Sequence, residues 1–476
     1  MKSENSSVKT NFIYNTLYQL LTIILPLITT PYISRKLGVE KIGYFSYSYS
    51  IAYYFAMFIM LGINNYGNRT IAKVREDKKK LSKNFCEIYM MQLFVSIFVV
   101  IIYIIYAIFF SNTLMTWILL IYIVSAVIDI NWFYFGLEKF KLTVTRNSII
   151  KLLTTLMIFI FVRKNDDVYK YALITVFGLL SSNLILFGFL KKYINFVKVD
   201  FNDVKRHIKP NLLLFIPIVA ISLYKMMDKI MIGALSNMNE VGFYENSEKI
   251  VQVPMAIINS LGTVMLPKMS NLVAKNEFTK TKYYLEISIL FATFLASSIC
   301  FGVIGVSNEF VPWYYGEGYE KCIKLFEFLM PSCIFLAVAN VIRTQYLIPY
   351  NEDKIYIISI VLGAIINLII NSLLIPKFAS IGAAIGTLVA EGTVCISQIY
   401  FVRKKIVNLK KYLLESIPFI IFGIIMMILL LSLNLNLNNN FLSMLCKIII
   451  GTIIYIIFSV VYTSLIKQKV KEKKGE

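Results

Sequence analysis

The stretch from Pro210 to Lys275 reads PNLLLFIPIVAISLYKMMDKIMIGALSNMNEVGFYENSEKIVQVPMAIINSLGTVMLPKMSNLVAK. It opens on an apolar run long enough to cross a bilayer, yet Lys225, Asp228 and Lys229 stand inside that run. A charge in the hydrocarbon core costs roughly 2.5–3.5 kcal/mol on insertion scales, so each must face a partner or a wet cavity. On a helix, Lys225 and Asp228 are close enough to neutralise each other, and Lys229 falls one turn beyond Lys225 on the same face. One face of this helix is therefore not a lipid face.

The same stretch opens a second copy of the chain's beginning. Glu240-Val241-Gly242-Phe243-Tyr244 echoes Lys41-Ile42-Gly43-Tyr44-Phe45, and Ser247 answers Ser48. Gly62 follows Gly43 by nineteen positions and Gly262 follows Gly242 by twenty; Ala72-Lys73 parallels Ala274-Lys275, and Pro26 parallels Pro217. A period this long does not suit a solenoid, but it suits two homologous halves of a transporter.

Composition points the same way. With 476 residues, 58% hydrophobic and 16% charged, and a mean hydropathy of +0.70, the chain reads as a polytopic membrane protein. A net charge of +21 could suggest nucleic acid. The basic residues, however, sit in short clusters between apolar runs, the pattern of loops on an anionic inner leaflet. The single histidine, His207, falls in a polar loop, and one histidine excludes histidine-cluster metal sites and histidine-based triads. The six cysteines are scattered without a CxxC, so they read as small buried hydrophobes, and neither metal nor cofactor is expected. The first apolar run has full span length and no small-residue cleavage pattern, so it reads as the first span.

Taking about 20 apolar residues per crossing, the chain holds about 14 spans, the first two at 11–33 and 43–64 and the seventh at 211–233. Lysine and arginine crowd alternate connections, 69–83, 139–146, 191–209, 268–282 and 403–411, and the tail at 467–474. The opposite connections carry few, among them Arg35, Lys36, Lys41, Arg163 and Lys164. By the positive-inside rule both termini are cytoplasmic. The expected fold is all-α: an N-terminal lobe of spans one to six (1–190), a cytoplasmic linker (191–210) and a C-terminal lobe of spans seven to twelve (211–402). Spans thirteen and fourteen, with a basic tail, complete it as an extra pair (403–476). The two six-helix lobes are expected to be pseudo-symmetric.

Several polar residues stand out inside spans. Asn11, Asn15 and Gln19 begin a polar stripe on span one, readable as a cavity wall or as interhelical hydrogen bonding, and Pro26 invites a bend. Asp129 lies about two turns deep in span four, where Trp132 and its neighbouring tyrosines mark the interface belt; Arg146 or Lys151 is its candidate partner, although snorkelling explains both cations equally well. Arg343 is near enough to a span end to snorkel. Glu391 is not, so its carboxylate has to be paired, protonated or wet. Gly382-Ala383-Ala384-Ile385-Gly386 forms a small-residue ridge suited to close helix packing.

Taken together, Pro31-Tyr32-Ile33-Ser34-Arg35-Lys36-Leu37-Gly38 with Gly43-Tyr44, Trp132 with Gly136-Leu137-Glu138, Asp228-Lys229 with Gly242-Phe243-Tyr244, and Gly382-Ala383-Ala384 with Glu391 carry a family likeness. In their order and in the span count, they resemble the polysaccharide-repeat flippases of the Wzx type. Their superfamily also holds multidrug extruders and lipid II flippases. The resemblance implies two lobes that open alternately to carry an undecaprenyl-diphosphate-linked oligosaccharide across a bacterial cytoplasmic membrane, for O-antigen, capsule or a similar polymer. It implies a non-enzymatic protein that works as a monomer, with membrane lipids and the pathway's polymerase and chain-length regulator as candidate partners. Lys225, Lys229, Arg343, Arg146 and Lys151 are then the candidate diphosphate cations; Asn11, Asn15, Gln19 and Asp228 line the cavity. Without a Walker A pattern, ATP hydrolysis is not indicated. Asp129, Asp228 and Glu391 are the deep carboxylates able to exchange a proton or sodium ion. A multidrug-type antiporter of the same fold and a membrane-embedded glycan polymerase are the competing readings.

Overall fold

The computed structural model describes residues 8–433, 435 and 439–474, with side chains throughout that range except at 8–20, 224–225, and 465–474. The expected stripe side chains of Asn11, Asn15 and Gln19, and that of Lys225, lie outside the described residues. Every regular element among the described residues is helical.

The first helix, Val8–Met60, has 53 residues. At 1.5 Å per residue that is roughly 80 Å, far more than the ~30 Å hydrocarbon core. Gly38, at φ 75° and ψ 166°, resolves this by breaking the helix into two crossings. A positive φ there favours glycine, and Asn165 donates its side-chain amide to the Leu37 carbonyl (2.6 Å) beside the break. The connection expected at 34–42 is thus helical apart from Gly38, and helical structure runs through Pro26 and Pro31. Ile63–Val74 continues span two. Among the described residues thirteen helical segments are long and apolar enough to cross a membrane, and the first of them, Leu21–Val74, is long enough for two crossings. The total of fourteen agrees with the hydropathy reading.

The chain divides into two compact units whose sequence boundary falls between Ser222 and Leu223, inside span seven. The 191–210 connector is only partly loop, because a helix starts at Phe201 and continues through Pro210 and Pro217 to Lys225. Within the first unit that helix is fastened along one stripe. Asp203 pairs with Lys83 (2.9 Å), Arg206 and His207 reach Glu87, and Tyr66 meets the His207 Nδ1 (2.7 Å). Further along, Asn211 packs on Gly62, Phe215 on Phe58, and the Ser222 carbonyl accepts from the Tyr54 hydroxyl (2.9 Å). His207 is therefore not in an exposed polar loop. It is helical and 2% exposed, because the fully buried Glu87 needs donors and the histidine supplies one at 2.8 Å.

Trp132 and Tyr134 are likewise not an interface belt: both are fully buried. A Cβ on Gly67 would come within 2.5 Å of the Trp132 ring, and one on Gly136 within 2.7 Å of Ile71, so the two glycines let Ile63–Val74 and Asn131–Gly136 touch closely. The break before Asn131 frees carbonyls inside the bundle. Gln92, wholly buried, donates to those of Ala126 (3.0 Å), Val127 (3.2 Å) and Asp129 (3.0 Å).

In the second unit the small-residue ridge packs helix on helix. A Cβ on Gly382 would lie 2.5 Å from the Leu374 backbone, which brings Ser380–Val402 against Asp353–Phe378. The last two spans, Leu409–Ser432 and Asn440–Lys474, dock on span nine, Phe278–Gly305. Gly423 sits under the Phe301 ring, and the Tyr455 hydroxyl donates to the Phe294 carbonyl (2.8 Å). Five cysteines are buried as expected; Cys446 is exposed.

Candidate functional site

Span seven does not cross as one helix. It breaks at Met226 and resumes as Met227–Leu235, so Asp228 falls in the first turn of the second piece. Its carboxylate is fully buried. Oδ2 accepts from the hydroxyls of Tyr244 (2.6 Å) and Thr387 (2.6 Å), and Oδ1 accepts from the Asn371 amide (2.6 Å). These donors come from spans eight, twelve and eleven (Met238–Ala274, Ser380–Val402 and Asp353–Phe378), so one carboxylate gathers three helices. All three donors are uncharged. Asn371 and Asn367 stand one turn apart and bond to each other (3.2 Å), while the Asn371 Oδ1 is buried without a hydrogen-bond partner.

Lys229 is directed elsewhere. Its ammonium lies 2.7 Å from Glu245 and 2.9 Å from Glu248, and the residue is 6% exposed. Lys249 adds a second cation to Glu245 (3.2 Å). This cluster balances two lysines against two glutamates, so Lys229 holds span seven to span eight.

The other singled-out residues fall into separate places. Arg146, 6% exposed, donates to the Ser182 carbonyl (2.5 Å), to Asn131 Oδ1 (2.9 Å) and to Asn147. Asn131 in turn donates its backbone and side-chain N–H groups to Asp129 Oδ1 (2.9 and 2.6 Å). Arg146 and Asp129 are thus linked through an asparagine, which also donates to Asn183 (3.3 Å) and so crosslinks spans four, five and six. Lys151 is half-buried in Phe140–Phe161. Glu391 is 5% exposed, one helical turn beyond Thr387. Arg343 begins a π-helical turn, Arg343–Leu347, that ends span ten. Its guanidinium lies over the Tyr356 ring and donates to that hydroxyl (3.3 Å), while its Nε is buried without a partner.

The Asp228 arrangement has the chemistry of a proton or small-cation exchanger. Two hydroxyls and one amide N–H group donate to a desolvated carboxylate, and on rotation the oxygens of the same side chains can instead coordinate a hard cation. Tyr244 already belongs to a repeated string, whereas Asn367, Asn371 and Thr387 went unread. The signal for the first two is their i,i+4 spacing in an otherwise apolar run, which places both amides on one face.

Comparison with known proteins bears on the whole chain. A protein of Escherichia coli (strain K12) named "Putative O-antigen transporter" is 24% identical over 413 residues, covering 85% of this chain and 98% of the relative. The lipid II flippase MurJ in an inward closed conformation superposes with a TM-score of 0.74 at 18% identity, over 95% of this chain and 100% of that one. An inward-facing multidrug resistance MATE family transporter of the MOP superfamily matches with a TM-score of 0.56 at 12% identity, over 82% and 99%. At these identities the structural likenesses establish the fold. The family described as polysaccharide biosynthesis protein matches residues 8–273, more than half the chain and the whole of the first unit's described length, and on that match this multi-pass membrane protein belongs to the polysaccharide biosynthesis protein family.

Proposed function

We propose that the chain is a flippase, moving a lipid-linked oligosaccharide across the cytoplasmic membrane by alternating access, with exchange of a proton or monovalent cation at Asp228 as the coupled step. The observation that carries the reading is the similarity to an O-antigen transporter over 98% of that relative's length, within a family of polysaccharide biosynthesis proteins. The MurJ-like fold supports it. The lysine distribution supports cytoplasmic termini, and the repeat supports two pseudo-symmetric six-helix lobes.

Of the candidate cations, Arg343 is the one we assign to the cargo's diphosphate. Arg146 donates three hydrogen bonds inside the bundle and Lys229 joins two glutamates, whereas among the described residues Arg343 makes a single side-chain hydrogen bond, to the hydroxyl of its aromatic neighbour Tyr356. A guanidinium also matches phosphate oxygens as a fork of donors. Charge-assisted bonds contribute about 1.5–3 kcal/mol, so Arg343→Ala is expected to weaken cargo binding by about 10- to 100-fold, with partial retention in Arg343→Lys. Proteoliposomes loaded with lipid-linked oligosaccharide, scored by a glycan-specific probe outside, measure this; wild-type-like transport by Arg343→Ala would move the diphosphate elsewhere. Drug accumulation without glycan movement would favour the multidrug-type antiporter instead.

Coupling has its own test. A Cβ on Gly386 would lie 2.0 Å from the Asn371 Oδ1. Gly386→Ala is therefore expected to turn Asn371 away from Asp228 and to reduce the response of transport to an imposed sodium or proton gradient, with the protein still present in the membrane. An unaltered gradient response would remove Asn371 from the coupling step.

A further inference from the structure

Span eight, Met238–Ala274, shows two unlike sides. Its buried side is Val251, Ile258, Gly262, Met269 and Leu272. On the opposite arc Gln252, Asn259, Ser260 and Thr263 are all exposed, and at 100° per residue Gln252, Asn259 and Thr263 line up along one edge. The other edge of the same arc is apolar and open, with Ile257 48% and Val264 55% exposed. No charged residue occurs from Ile250 to Pro267. The polar edge runs from Gln252 to Thr263, eleven helical rises or ~16 Å at 1.5 Å per residue, near the middle of a 37-residue helix.

Exposed amides at that depth do not belong against lipid tails, which offer no hydrogen bonds. The edge is also tied to the cation assigned above. Asn340 of span ten donates to Asn259 Oδ1 (2.6 Å), and Arg343 follows Asn340 by one helical turn. Thr263 bonds only the backbone of its own helix, at the Asn259 carbonyl (3.0 Å), and among the described residues Gln252 has no hydrogen-bond partner. The surface is thus a neutral row of amides and hydroxyls leading away from one arginine.

We infer that this row, Gln252, Asn259 and Thr263, is the surface that hydrogen-bonds the sugar hydroxyls of the cargo while Arg343 holds its negative charge. The inference rests on the flippase reading and adds to it a division of labour. Uncharged amides and hydroxyls both donate and accept, as sugar hydroxyls do, so they grip a glycan without competing for its phosphates. Discrimination by glycan length then resides on span eight.

The test uses full-length protein in proteoliposomes with two probes, a polyprenyl diphosphate bearing one sugar and one bearing a complete oligosaccharide. Gln252→Leu with Thr263→Val keeps side-chain size and removes two polar groups. Net hydrogen bonds of about 0.5–1.5 kcal/mol each make the expected loss ~10-fold for the oligosaccharide and smaller for the one-sugar probe, which reaches fewer groups of the row. Equal losses for both probes, or no loss for either, would overturn the inference while leaving the flippase reading intact. A wild-type protein inert toward both probes would overturn the flippase reading, and this inference with it. Gln252→Ala alone, at an exposed helical position, repeats the comparison if the double variant does not accumulate.

Discussion

Asp228→Leu is expected to lower the amount of folded protein in the membrane several-fold, whereas Asp228→Asn leaves the protein in place without gradient-dependent transport. Leucine would remove the acceptor on which the Tyr244 and Thr387 hydroxyls and the Asn371 amide converge at 2.6 Å each, leaving the hydroxyls to each other (2.8 Å) and the amide to Asn367 (3.2 Å). A buried donor left unsatisfied costs about 1–3 kcal/mol in water-soluble proteins. Between membrane helices the average is nearer ~0.6 kcal/mol per bond. Three bonds therefore cost about 2 kcal/mol at the low end, and a loss of that size already changes abundance several-fold. Asparagine avoids it, because its oxygen still accepts from the hydroxyls and its amide can donate to the Asn371 Oδ1, which is unbonded in the native site. What asparagine lacks is an exchangeable charge. Immunoblotting of membranes, run beside glycan transport with and without a sodium or proton gradient, separates the two effects. Normal gradient response in Asp228→Asn would exclude Asp228 as the exchanging group.

Lys229→Met is expected to destabilise the second unit by about 3–5 kcal/mol, the range for removing one partner of a buried ion pair. The lysine is 6% exposed and bridges Glu245 and Glu248, so its removal leaves two neighbouring carboxylates beside one lysine, Lys249, 3.2 Å from Glu245. Adding Glu248→Gln should restore most of the lost abundance, since it leaves one lysine facing one glutamate and replacing both members of a buried pair is often near neutral. The double variant also decides whether Lys229 touches cargo. If its role is to fasten span seven to span eight, transport per molecule returns with abundance. If it binds the diphosphate, the protein returns and transport does not.

The residues that need partners are legible in the sequence, but the partners themselves are not. Asp228 and Lys229 stand out because two charges interrupt an apolar run. Spacing along one helix suggests neutralisation by Lys225, whose side chain lies outside the described residues; the donors to Asp228 among the described residues come from 16, 143 and 159 positions away. Arg146 and Asp129 show the same limit. Their depth was readable, whereas the intervening Asn131 emerges only where the break in span four brings the backbone beside span five. The exposed edge of span eight was not legible for a related reason: a lone Gln, Asn or Thr is unremarkable in a membrane helix until packing shows that it lies on an open face.

By itself the sequence determined that this chain is a helical membrane protein with about fourteen crossings, because partition into a bilayer depends on hydropathy summed over some 20 consecutive residues, a local property. Gly38 as the residue where the first helix turns back, the inclusion of 201–222 in the first unit, and the ring of neutral donors around Asp228 were decided only by tertiary structure. Each depends on which helices lie side by side. The pairing of a buried charge is settled by whichever donors packing brings within hydrogen-bond reach, and its neighbours along the chain are only some of the contenders.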